Sequence, residues 1–165
     1  MNNYQFLTKM HRLIDEKERL AIFYKIRGAA ITVEQNLGPF LIEKYYELAF
    51  AQELKALGFD VKQQVAIPTF YKGNPLGLEL VADLIIDDDI IIELKATKKM
   101  ETSYVRQLLS YMRLMRIHHG LIINFGISYI SRYGIKPFIL TDFDTNMNVK
   151  TDFNDKFGVD VFINE

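Results

Sequence analysis

Residues 80–96, LVADLIIDDDIIIELKA, form two apolar runs joined by three aspartates, and no other stretch limits the chain so strongly. Asp87, Asp88 and Asp89 have the chemistry that closes a hairpin, because short polar side chains bond nearby backbone and tolerate left-handed geometry. If those three residues are the loop, Ile86 pairs with Ile90 and, counting outward, Asp83 stands opposite Glu93. Directly opposed residues share a sheet face with Cβ atoms about 5 Å apart, and alternation along the strand puts Lys95 on the same face. Two like charges at about 5 Å repel by roughly 3 kcal/mol at an effective dielectric near 20, a large fraction of a small domain's stability. A divalent cation between the carboxylates offsets this repulsion, since hard cations such as Mg²⁺ take carboxylate oxygens. Two other arrangements use the same residues: a solvated hairpin with an Asp–Lys ladder, or a two-residue turn that slips the register and separates Asp83 from Glu93.

Composition narrows what such a site can contain. With no cysteine among 165 residues, thiolate nucleophiles, disulfides and Cys-ligated zinc are excluded, so a metal has carboxylates, carbonyls or the three histidines as ligands. A reducing, cytoplasmic setting fits. Hydrophobic residues at 49% suit one core in one domain, residues 1–165. No apolar run approaches the roughly 20 residues of a membrane-spanning helix. The net charge of −1 hides an asymmetry: residues 91–136 carry eight Lys or Arg against two acids, +6 locally, against −7 for the remainder. That pattern suits a basic face for phosphate on an acidic body, or an ordinary solvated helix surface.

Along the chain, apolar positions at helical spacing predict one or two amphipathic helices over 4–26, and a second short helix over 28–36 that ends at Asn36-Leu37-Gly38-Pro39. Pro39 is expected to open the next helix, Phe40 to Leu57, whose Tyr46, Phe50, Leu54 and Leu57 form an apolar stripe. Glu43 lies within that stripe and Glu47 at its edge; a carboxylate there is costly unless paired, protonated or metal-bound, or unless it only favours the positive helix terminus. Strands are expected at 59–67 and 121–125, with a helix over 104–117 between the hairpin and the second of them. Leu108, Tyr111, Met112 and Met115 of that helix face the core, Arg106 and Arg113 face solvent, and Gln107 sits on the border. His118 and His119 are placed at its end, in favourable contact with the dipole. Strands are also expected at 137–140 and 159–163. The oxygen-rich run from Asp142 lacks the glycine and glutamate of a calcium loop and reads as a solvated turn.

The order of these elements resembles the PD-(D/E)XK nuclease superfamily, and its GxxExxY branch in particular. The matching residues are Gly28-Ala29-Ala30, Leu37-Gly38-Pro39, Glu43-Lys44-Tyr45-Tyr46-Glu47, Ala82-Asp83, Glu93-Leu94-Lys95, Gln107-Leu108-Leu109-Ser110-Tyr111 and the strand at 121–126. Phe40 stands where the motif has glycine, and Glu34 where relatives often have histidine. The resemblance implies an α/β fold: a restriction-endonuclease-like αβββαβ core at about 25–126 with a mixed central sheet flanked by helices, a helical extension over 1–24 and further strands over 127–165.

It also implies a chemistry. Asp83 and Glu93 bind Mg²⁺ or Mn²⁺, the Leu94 backbone carbonyl adds a ligand, and Glu43, or Glu47 in its place, reaches the ion directly or through water. The cation polarises the phosphoryl oxygen while Lys95 positions water or stabilises developing charge. Gln107 orients substrate or Lys95, with Tyr111 behind it. Lys98, Lys99, Arg106 and Arg113 are candidates for phosphate contacts that position DNA without reading its sequence. The expected activity is metal-dependent hydrolysis of nucleic acid, DNA first. A catalytically silent module of the same fold, binding nucleic acid or a protein, is the alternative; an assembly subunit, a homodimer among its forms, is the third.

Overall fold

The computed structural model describes residues 11–143 and the backbone of 149–151. Among the described residues, three α-helices, α1 (Glu16–Leu37), α2 (Glu43–Ala56) and α3 (Thr102–Met115), and a π-helical turn, Ile130–Gly134, accompany a sheet of six strands. These are β1 (Val61–Tyr71), β2 (Asn74–Ile86), β3 (Ile90–Lys95), β4 (His119–Asn124), β5 (Ile135–Leu140) and β6 (Val149–Thr151), adjacent in that order. All neighbours are antiparallel except β3 and β4, which run parallel because α3 carries the chain back across the sheet. The sheet is therefore mixed, and the α–βββ–α–β order expected for the core is present.

The sheet separates two hydrophobic layers. One face carries Leu84, Ile86, Ile92, Leu94 and Ile123 against Ile26, Ala30, Tyr46, Phe50 and Leu54 of α1 and α2. The other carries Ile67, Ile85, Ile91, Ile122 and Phe138 against Leu108, Met112 and Met115 of α3. The run Ile90-Ile91-Ile92 supplies both layers at once, which is why β3 reads as continuously apolar rather than alternating. It is the central, doubly covered strand, and its carboxy-terminal end carries Glu93 and Lys95.

The hairpin register is the expected one. Leu84 pairs with Ile92, Ile85 with Ile91 and Ile86 with Ile90, around a loop whose Asp87 and Asp88 both have positive φ. Past Leu84 the two strands part: β2 stays paired with β1 through Ala82, Val81 and Leu80, while β3 continues beside β4.

Several expectations are corrected. A single helix runs from Glu16 to Leu37 in place of separate ones ending near 26 and starting at 28. It crosses Gly28 because one glycine inside a helix costs only about 1 kcal/mol, and Ile26, Ala29, Ala30 and Val33 are buried on either side of it. Asp15 caps this helix by accepting the Glu18 N–H at 3.0 Å. The helix carrying Glu43 begins at Glu43 rather than Phe40, because Phe40 has a φ of +74° that no helix accommodates. β1 runs on through Pro68 to Tyr71 by way of an irregularity between Pro68 and Phe70, and Lys72-Gly73, both at positive φ, make the turn to β2. His118 and His119 lie beyond the helix; His119 opens β4 and accepts the Ile14 N–H at 2.9 Å. The strand expected at 137–140 is the end of β5, whereas 159–163 and most of the run from Asp142 lie outside the described residues.

Candidate active site

Where β2 and β3 part, Asp83 replaces the missing ladder contact with its side chain: the Leu94 N–H donates to Asp83 Oδ2 at 2.8 Å. Its other oxygen, Oδ1, accepts from Gln64 Nε2 at 3.3 Å. Glu93 stands on the facing strand and is only 1% exposed. Its Oε2 lies 3.4 Å from Lys95 Nζ, and its Oε1 is buried with no hydrogen-bond partner. Burial, and after it the nearby Asp83 charge, push the Glu93 carboxyl up to about 8, with Lys95 opposing. Lys95 Nζ also lies 5.2 Å from the centre of the Tyr104 ring, whose face attracts a cation.

Glu43, first residue of α2, is half-buried. Its carboxyl is raised above its ordinary value by burial first and then by Asp83, with Glu47 adding and Lys95 opposing, so it shares the field of the strand residues. Glu47, one turn on, is buried and occupied. Its Oε1 accepts from Lys44 at 2.8 Å and Gln63 at 3.2 Å, and its Oε2 from Gln64 at 2.9 Å. The Gln64 amide therefore joins the Glu47 and Asp83 carboxylates. Gln64 lies opposite Asp83 between the pairs Gln63–Leu84 and Val65–Ala82, and it holds a φ of +50°, left-handed inside a strand.

The other residues singled out in the sequence fall in three places. Gln107 is half-buried on α3 and donates to the Tyr111 hydroxyl at 2.9 Å. Lys98 and Lys99 are exposed on the segment that follows β3. Arg106 is exposed on the early part of α3, whereas Arg113 lies roughly 10 Å farther along that helix, two turns from Arg106, and donates to the Phe143 carbonyl at 3.2 Å. The structure does not bring Arg113 to the Glu93 end of the sheet.

A family model of the PD-(D/E)XK nuclease superfamily matches residues 20–138. The chain belongs to this superfamily. No curated protein and no solved structure matches the chain. The matched span runs from early α1 through most of β5, so it takes in both helical layers and β1 to β4 completely.

PD-(D/E)XK nucleases typically use divalent metals, and the chain can be tested against that on its own atoms. Among the described residues no three His, Asp or Glu side chains converge as a metal cage. Asp83 and Glu93 nevertheless fit a hard cation as two carboxylates, since Glu93 Oε1 is buried without a hydrogen-bond partner. A two-carboxylate share is ordinary for Mg²⁺, which keeps several waters. Glu43 stands outside a direct three-carboxylate cluster.

Sequence reasoning missed three contributors to this candidate site. Gln64 could have been marked by the polar pair Gln63-Gln64 interrupting an apolar strand. Tyr104 carried no signal beyond its helix position. Asn124, fully buried, fastens the segment after β3: its Oδ1 accepts the Thr97 N–H at 3.0 Å and the Gly126 N–H at 2.9 Å, and its amide donates to Thr97 Oγ1 and to the Lys99 carbonyl. Gly126 completes the fit, since a Cβ there would come within 2.4 Å of the Thr97 nitrogen.

Proposed function

We propose that this PD-(D/E)XK protein hydrolyses phosphodiester bonds of nucleic acid, DNA first, with Mg²⁺ or Mn²⁺ as cofactor. One observation carries the reading: Asp83, Glu93 and Lys95 meet where two paired strands separate, and the buried Glu93 Oε1 has no partner in the protein. Asp83, Glu93 and the Leu94 carbonyl would hold the ion, which when bound supplies Lewis acidity and a water of lowered pKa. Lys95, which lies 3.4 Å from Glu93 Oε2 and over the Tyr104 ring, would orient a water or stabilise charge on a phosphoryl oxygen. Glu43 reaches the site through water, while Glu47 fixes Gln64 and thereby Asp83. Gln107 supports the α3 side of the site, and Lys98, Lys99 and Arg106 contact phosphates. The spacing Glu43-x-x-Tyr46 supports membership of the GxxExxY branch.

The test is incubation of the full chain with labelled DNA and RNA in Mg²⁺ or Mn²⁺, beside Asp83→Asn and Lys95→Ala. Cleavage by the wild type and its loss by at least a hundredfold in both variants, with unchanged melting temperature, is the expected result. Cleavage that survives both changes overturns the assignment. Nucleic-acid binding without cleavage in either metal favours the silent binding module.

A further inference from the structure

Phe40 is 97% exposed and holds a φ of +74°. That conformation is an outlier for a bulky residue, which here gains almost nothing from packing in return. Strain of this kind persists only where the surroundings impose it, and it concentrates at ligand clamps. The imposing element is Tyr46, whose hydroxyl donates to the Gly38 carbonyl at 2.7 Å and accepts the Leu41 N–H at 3.3 Å, pinning the chain on both sides of Phe40. Tyr46 is itself immobilised by stacking on Phe125, with ring centres 4.8 Å apart and planes 2° from parallel.

Phe40 stands at the rim of a cavity of about 410 Å³, within the range of small-molecule sites. Pro39, Tyr46 and Phe125 supply apolar surface, and Thr97, Lys98 and Glu34, whose Oε1 also accepts the Ile130 N–H at 3.4 Å, supply polar groups. Two segments run from this cavity directly into the candidate active site. Ala96 lines it one residue after Lys95, and Leu41 lines it two residues before Glu43. Adjacent Cα atoms are about 3.8 Å apart, so the cavity begins about one nucleotide's rise from the Lys95 end of β3.

We propose that this cavity receives an unpaired nucleobase next to the phosphodiester under attack, stacked on Phe40, and that the preferred substrate has single-stranded or extruded nucleotides at that point. The proposal rests on the nuclease reading and adds the substrate class to it. Every base has a π-face, so an exposed ring on a fixed backbone binds bases without demanding sequence. Lys98 meets the backbone phosphate, and Glu34 accepts from an exocyclic amine. A fully paired duplex offers no free face to Phe40.

Anisotropy titration of the full chain in EDTA, with one labelled sequence as single strand and as blunt duplex, separates the outcomes. Phe40→Gly removes the ring and suits the left-handed backbone, so its melting temperature should equal or exceed that of the wild type. Its single-strand affinity should fall about tenfold, the scale of one stacked base, with duplex affinity changed less than twofold. Phe40→Tyr should restore single-strand binding. Equal losses on both ligands, or none on either, overturn the pocket, and if the wild type still cleaves in Mg²⁺ the nuclease reading survives. A wild type that neither binds nor cleaves any nucleic acid overturns both.

Discussion

Glu93 sits among apolar neighbours and close to Asp83, and both circumstances favour its neutral form. Its folded pKa near 8 lies above the 4.5 of a free carboxyl, so between those values the folded protein binds a proton that the unfolded chain has lost. Stability from this group is complete below about pH 4.5 and is lost as pH rises through 8, on the order of a few kcal/mol. In EDTA the melting temperature should fall by several degrees between pH 5.5 and 8.5, and Glu93→Gln should flatten that slope and raise the value at pH 8.5. Mg²⁺ at pH 8.5 should restore the wild type but leave Glu93→Gln unmoved. A slope unchanged by the substitution would assign it to another group. Gln64 is the second residue whose conformation speaks, since a left-handed strand residue is costly and its amide is shared by two carboxylates. Gln64→Ala should reduce Mg²⁺-dependent cleavage by about ten- to a hundredfold, the usual effect of losing a partner that orients a metal-binding carboxylate. A small shift in urea midpoint together with full activity would show that Asp83 needs no such support.

The elements were legible where side-chain pattern and backbone demand agreed. Three aspartates flanked by isoleucines specify a loop whose register is pinned because any one-residue slip would expose Ile85 or bury Asp83 on the wrong face. The α1 boundary was hidden because Gly28 looks like a stop, yet the exposed position has open space around its missing Cβ and the helix passes through it. The start of α2 was hidden for the opposite reason: phenylalanine itself announces no positive φ, and only the glycine that the motif has at position 40 hints at the left-handed backbone that the bonds of the Tyr46 hydroxyl hold in place. Buried polar anchors such as Asn124 are equally silent in a single sequence, since only the folded loop reveals the N–H groups they satisfy. Asn124→Ala leaves the Thr97 and Gly126 amides without their acceptor and should cost about 2–4 kcal/mol in urea unfolding. Because the same side chain holds the Lys99 carbonyl, the variant should also lose nucleic-acid affinity under conditions where it remains folded. Retention of wild-type affinity would separate the loop from binding.

At the level of the molecule, the basic segment is less uniform than its count of charges suggests. Lys136 is buried, its ammonium pushed below its ordinary value by burial, and Arg113 is engaged far along α3. Lys98, Lys99 and Arg106 remain exposed near the carboxy-terminal end of β3. Three phosphate contacts correspond to a log–log salt slope of about −2.7 on duplex DNA, or about −2 on a single strand. Lys98→Ala and Lys99→Ala should each reduce the slope by about one and weaken binding on every sequence alike; an unchanged slope would remove these lysines from the interface. At the opposite end of the sheet, Arg12 holds the hairpin loop through Asp89, with its N–H and Nε on the two carboxylate oxygens at 3.1 and 3.2 Å. The amino-terminal segment thus braces the loop while the far ends of the strands stay open. That openness begins at Asp83, whose Oδ2 sutures the strands by accepting the Leu94 N–H, so under the proposed function one side chain would have two duties, the suture and the chemistry. Truncating it to alanine would conflate a silenced enzyme with an unstitched sheet. Asparagine, which keeps an acceptor for that amide, is the better decoy for capturing uncut substrate.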